Sequence, residues 1–299
     1  MAGGKKATPL KKKKAAGAAP AQEARREDPS YATRREVKEA FGRILDEWRE
    51  LGKLDVGALR RLVEEFVLLV PADSKQPPPD LRVSGEYALA HPINMLGHCL
   101  QVGKQMGIGG QDLRHLGMAA LVHDFGKEIP ETHPEREELK RLDEHCATGY
   151  KLLTELAPDF PRPAAEAVRD HHERIDGRGV LKKTKFSELA AIVGLCDVYD
   201  ARVTHHPFRG ATSPHVAFTL TLNVASLFPK QVADAFCAAI VPYPLGAPVF
   251  LVDGRKGEVV EINPENATTP IVLVDGERED LRDNPKSRVA DLIRSALPL

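Results

Sequence analysis

The stretch LRHLGMAALVHDFGK, residues 113–127, closes an apolar helix on a pair of metal-philic side chains. The run Met118 to Val122 ends a helix predicted over 111–123, and His123-Asp124 follow at once. Lys127 comes one helical turn later. A single histidine in a helix is an ordinary core or surface residue. An adjacent imidazole and carboxylate at a helix end read differently. Together they offer nitrogen and oxygen donors of the kind that suit iron, manganese or zinc. A carboxylate such as Asp124 can also give one oxygen to each of two ions. Two ions about 3.5–4 Å apart activate water for attack on phosphorus.

Outward from this stretch, further donors sit in similar places. His145 closes a charged helix predicted over 136–155, and His171-His172-Glu173 closes another, ahead of Asp176-Gly177. Asp197 and Asp200 follow the apolar run Ala190 to Cys196. Upstream, His91 and His98 lie seven residues apart on one face of a helix predicted over 86–106. Asp200, three residues beyond Asp197, reads as a cap or hydrogen-bonding partner. His115, His133, His205, His206 and His215 read as surface or loop residues.

The segment 84–240 places apolar residues three and four apart and contains few alternating runs, so it is predicted to be all-helical. The other predicted helices are 162–172, 186–204, 214–224 and 230–239. Before it, Val37, Phe41, Ile44, Leu45 and Trp48 form one helical stripe. Asp55 caps a second helix with Leu59, Leu62, Val63, Phe66 and Val67 along one face. Pro71 to Pro79 reads as a linker. Beyond Pro242 the pattern changes to β-branched runs, Val249 to Val252, Gly257 to Ile262 and Ile271 to Val274. They are separated by Asp253-Gly254, Asn263-Pro264 and Asp275-Gly276, which predicts an antiparallel meander, with a last helix over 287–296. The expected fold is mainly α, with N-terminal helices, a helical bundle and a small C-terminal β meander. The expected division is 1–30 basic tail, 31–80 helical region and linker, 81–242 helical domain and 243–299 β-rich extension.

Charge and cysteine use narrow the function classes. Residues 1–26 carry eight basic side chains against Glu23 alone, so the tail holds +7 and the rest of the 299-residue chain −8. That balance argues against a globally basic nucleic-acid binder, and the tail reads as a disordered solubilising arm. No apolar run approaches the ~18 residues of a membrane span. The first residues lack the apolar core of a secretory signal. Cys99, Cys146, Cys196 and Cys237 are scattered without a CxxC pair and read as buried free thiols of a cytoplasmic protein.

The ordered set resembles the HD-GYP branch of the HD phosphohydrolases. The carriers are Tyr87-x-x-x-His91, His123-Asp124-x-x-Lys127, His145, His171-His172-Glu173-x-x-Asp176-Gly177, and Asp197-x-x-Asp200-Ala201. The resemblance covers about residues 55–242. It implies an HD-domain bundle in which His91, His123, Asp124, His145, His171, His172 and Asp197 bind two divalent metal ions, Asp124 bridging them. His98 is the alternative first ligand. Iron or manganese is implied first, with zinc as an alternative. Lys127 would neutralise a phosphate oxygen in the transition state, and Arg209, in His206-Pro-Phe-Arg, would contact substrate phosphate. Tyr87 stands where some members carry a glutamate for a third ion, so two ions are expected.

Two motifs depart from the family. Its G-Y-P is Gly179-Val180-Leu181 here, and its R-P-Y-R is His206 to Arg209. The implied activity is hydrolysis of a cyclic dinucleotide, cyclic di-GMP first. The alternatives are a degenerate module that binds cyclic di-GMP or a protein, and an HD phosphohydrolase for another nucleotide. Residues 33–70 are candidates for packing on the bundle or for joining a homodimer or a signalling partner.

Overall fold

The structure is a computed structural model, and it describes residues 29–70, 86–141, 144–205, 210–243, 245–263, 266–282 and 289–292. The basic tail to residue 28, the linker at 71–79 and Arg209 with His206 and Phe208 lie outside the described residues.

The predicted stripes bury as periodicity demands. Val37, Phe41, Ile44, Leu45 and Trp48 of α1 (Pro29–Leu51) are all buried, as are Leu59, Leu62, Val63 and Phe66 of α2 (Val56–Leu69). Asp55 caps α2 by accepting from the amide of Ala58 at 2.7 Å. The Lys104 ammonium donates to the carbonyl oxygens of Val67, at 2.7 Å, and Val70, which satisfies the open end of α2. These helices pack on α3 (Tyr87–Gln105) and α4 (Gly110–Val122).

α1 also braces the turn that follows α4. The rings of Phe41 and Trp48 lie 6.4 and 5.1 Å from that of Phe125, centroid to centroid. The Trp48 indole donates to the Glu128 carbonyl at 2.7 Å, and Arg49 grips the Glu128 carboxylate at 2.7 and 2.9 Å. The His123-to-Lys127 segment is thus fixed from the side opposite its polar residues.

α3 and α8 (Glu188–Val203) run through the centre of the bundle. Every residue of α3 from Ala90 to Gly103 is buried, and α8 is buried continuously from Leu189 to Cys196. Such helices have no solvent face, so polar residues on them need partners inside. Around them stand α6 (His145–Leu156), α7 (Arg162–Asp170), α9 (Pro214–Leu222) and α10 (Lys230–Ala239). The single helix expected over 136–155 is instead two, α5 (Arg136–Arg141) and α6. His145 therefore opens a helix and does not close one. The charged run before it carries helical spacing but no apolar face to hold it on the bundle.

The C-terminal strands are β1 (Pro248–Leu251), β2 (Lys256–Glu261), β3 (Ile271–Val274), β4 (Glu277–Asp280) and β5 (Val289–Leu292). They form one antiparallel sheet in the order β4-β3-β2-β1-β5. Val249, Leu251, Val259, Val272 and Val274 join Tyr243 in a core separate from that of the helices. Two expectations are corrected. Residues 289–292, inside the predicted last helix, pair with the edge of β1 as a strand. The charged run Glu277–Asp280 becomes β4 because Asp275-Gly276, both at positive φ, turn the chain back on β3 in two residues. Its charges suit an edge strand.

Candidate metal centre

Helix ends and close backbone contacts build the site. His123 caps the C-terminus of α4, and His171 that of α7. In each ring Nδ1–H donates to the carbonyl three residues back, Ala120 at 2.9 Å and Val168 at 2.7 Å. These carbonyls belong to the last turn, where intrahelical donors run out. The bonds fix both rings and turn each Nε2 toward the other donors of the site, His123 Nε2 to 3.1 Å from His91 Nε2, which is the orientation a metal ligand requires.

Two glycines bring the ends together. A Cβ on Gly126 would collide with the carbonyl oxygen of His145, so the turn after Asp124 seats directly on the start of α6. A Cβ on Gly194 would collide with the carbonyl oxygen of His171, so α8 lies against the end of α7. Gly126→Ala is expected to cost about 1–3 kcal/mol or more by overpacking. It should also separate His145 from Asp124. A urea midpoint equal to wild type would contradict this.

The seven expected ligands meet. Donor atoms of His91, His123 and Asp124 lie within 4.8 Å of one another, and so do those of His145, Cys146, His171 and His172. Asp197 Oδ1 lies 3.3 Å from His91 Nε2 and 3.9 Å from His123 Nε2. Asp124 faces both groups, with Oδ1 3.4 Å from His145 Nε2 and Oδ2 3.6 Å from His123 Nε2. Imidazole rings and carboxylates converging this way fit a pair of divalent cations. Lys127 pairs with Asp124 at 2.8 Å and stays half-exposed.

Supporting residues were only partly legible. Asp200, completely buried, accepts from His91 Nδ1–H at 2.7 Å and from Thr204 Oγ1 at 2.8 Å. Its other oxygen lies 3.2 Å from His98 Nε2, so His98 sits behind the site. Tyr87 stacks on His91 at 4.8 Å. Glu173 accepts from the amides of Leu181 at 2.7 Å and Lys183 at 2.5 Å, which pins the loop carrying Gly179-Val180-Leu181. Gly179 packs there with no room for a side chain, since its Cβ would fall 2.5 Å from Glu173 Cα. From sequence, Cys146 is no more than a buried thiol. Its signal was adjacency to His145, like that of His171 to His172. Cys237, expected to be buried, is exposed, and His115, expected on the surface, is buried.

Charge balance in the site is uneven. Burial opposes ionisation of Asp124, but His123, Lys127 and His91 outweigh it and hold the carboxyl below its usual range. Burial also opposes charge on His91, yet hydrogen bonds to Asp197 and Asp200 raise it to about 10. Burial pushes His123, His145, His171 and His172 down, His145 to about 4. A depressed ring favours folding above the unfolded value near 6.5 and loses that contribution as pH falls toward the folded value. A raised ring, His91, does the reverse, contributing below 6.5 and losing it as pH climbs through about 10. Four depressed rings oppose one raised ring. The metal-free protein is therefore expected to have a lower urea midpoint at about pH 5 than at about pH 7. A midpoint that rises on acidification would contradict this.

Residues 88–202 match the HD domain family. The chain is 30% identical over 207 residues to the cyclic di-GMP phosphodiesterase PA4108 of Pseudomonas aeruginosa, an alignment covering 65% of this chain and 49% of that protein. The chain carries an HD domain. A second relative is the cyclic di-GMP phosphodiesterase response regulator RpfG of Xanthomonas campestris, 31% identical over 45% of this chain and 38% of its own length. The chain thus spans about half or less of these relatives. In fold, the chain is similar to Bd1817, an HDG"Y"P protein from Bdellovibrio bacteriovorus, with a TM-score of 0.51 and 14% identity over 73% of this chain and 76% of that one. No described helix is long and apolar enough to cross a membrane.

Proposed function

We propose that this chain is a metal-dependent phosphodiesterase that opens a cyclic dinucleotide, cyclic di-GMP first. The observation that carries the reading is the position of Asp124, whose two oxygens face separate histidine groups at 3.4 and 3.6 Å. The names of the relatives supply the substrate class. His91, His123 and Asp197 hold one cation, His145, His171 and His172 the other, and Asp124 serves both. Two bound cations supply Lewis-acid charge at phosphorus and lower the pKa of the attacking water. The imidazole and carboxylate donors suit iron or manganese, with zinc as the alternative.

The remaining residues orient and balance charge. Asp200 and His98 hold the His91 ring, and Glu173 holds the loop beside His172. Burial weighs against the Lys127 charge, but Asp124 more than restores it, so the ammonium is available for a non-bridging phosphate oxygen. Arg209 is assigned a contact to substrate phosphate. The 81–242 segment forms the catalytic unit in this reading.

The test is turnover of cyclic di-GMP by protein loaded anaerobically with Mn(II) or Fe(II), with products separated by chromatography. A linear dinucleotide or a mononucleotide is expected. Tight binding without product would make the chain a receptor, and turnover confined to other phosphate esters would make it a different HD phosphohydrolase. Lys127→Ala should lower kcat about a hundred- to a thousandfold. Its metal content should match wild type, and an unchanged kcat would remove Lys127 from the chemistry.

A further inference from the structure

The two-metal reading leaves one buried donor without a role. Cys146, the second residue of α6, is 1% exposed. Its Sγ lies 3.6 Å from His145 Nε2 and 3.8 and 3.9 Å from Nδ1 and Nε2 of His171. His172 completes a group of four donors within 4.8 Å of one another.

The hydrogen-bond contacts of the thiol run only to histidine nitrogens of this group. His171 Nδ1–H is already spent on the Val168 carbonyl at 2.7 Å. The sulfur-to-nitrogen distances suit another arrangement. A tetrahedral ion with bonds of about 2.3 Å to sulfur and about 2.1 Å to nitrogen sets those atoms about 3.6 Å apart. That is the spacing of Cys146 Sγ and His145 Nε2.

We propose that Cys146 is a thiolate ligand of the cation held by His145, His171 and His172. On binding, the S–H bond breaks heterolytically, its electron pair forms the sulfur–metal bond and the proton leaves to solvent. The two cations then differ in kind. One sits among imidazoles, a thiolate and one oxygen of Asp124, the other among imidazoles, the second oxygen of Asp124 and the carboxylate of Asp197. Soft sulfur draws zinc or ferrous iron to the first position over manganese, which suits the oxygen-rich second. The inference rests on the two-metal reading of the site.

Zinc K-edge absorption on the intact, zinc-loaded chain tests it without a variant. The expected spectrum contains a sulfur scatterer at about 2.3 Å, about one for every two zinc ions. Metal retained with nitrogen and oxygen scatterers only overturns the inference and leaves the two-metal reading standing. Failure to retain metal overturns both. Cobalt(II) loading gives a second readout. A thiolate-to-cobalt charge-transfer band in the near ultraviolet is expected in wild type and in Cys237→Ser, and is expected to be lost in Cys146→Ser. Survival of the band in Cys146→Ser overturns the assignment.

Discussion

Asp124→Ala is expected to remove turnover, by at least about a thousandfold, and to leave the protein unable to hold a metal pair. The cause is geometric. Among the described residues, Asp124 is the carboxylate that faces both histidine groups, so its loss deprives both positions at once. The fold should survive in the metal-free state. In that state the Asp197 carboxylate works against the ionisation of Asp124. Wild type should gain melting temperature on adding Mn(II), because a ligand that binds only the native state stabilises it by mass action. The variant should gain much less. Full metal content with full turnover in Asp124→Ala would refute its role.

Asp200→Asn is expected to cost about ten- to a hundredfold in metal affinity or activity without removing a ligand. Asp200 accepts from His91 Nδ1–H and so decides which nitrogen of that ring faces the site. An amide can present its NH2 group to the same nitrogen and turn the ring chemistry around. It also loses the charge that, with Asp197, holds the His91 pKa up. Competition titration with a chelator reads the affinity. His98→Ala should have a smaller effect, since His98 touches only the other oxygen of Asp200. Equal affinity in wild type and Asp200→Asn would remove Asp200 from the support of the site.

Much of the helical architecture was legible because helices such as α1 and α2 repeat an apolar stripe. Val37 to Trp48 and Leu59 to Phe66 bury as spaced, and Asp55 caps where it stands. Legibility failed where tertiary contacts overrule local pattern. The charged segment 136–144 has helical spacing, yet the seat that Gly126 makes for the start of α6 requires a helix to begin at His145. Glu277 to Asp280 carries no strand composition and is a strand because its turn returns it to β3. Residues 289–292 have a helix-like pattern but meet the open edge of β1.

The candidate centre was legible as a set of residue types, not as a geometry. His91 and His98 occupy one face of α3, and spacing could not divide them. The carboxylate of Asp200, between them in space and distant in sequence, makes the division. Cys146 was invisible for a different reason: a buried cysteine satisfies an apolar pattern as well as alanine does, so only its neighbours reveal it. Of G-Y-P, the glycine alone remains, and Gly179 is the position where packing against Glu173 leaves no space for a side chain.

Anomalous diffraction from crystals of the Mn(II)-loaded protein tests most directly whether these side chains grip a pair of cations. Two peaks are predicted about 3.5–4 Å apart, with Asp124 in contact with both. A single peak, or peaks away from His91, His123, His145, His171, His172 and Asp197, would contradict it.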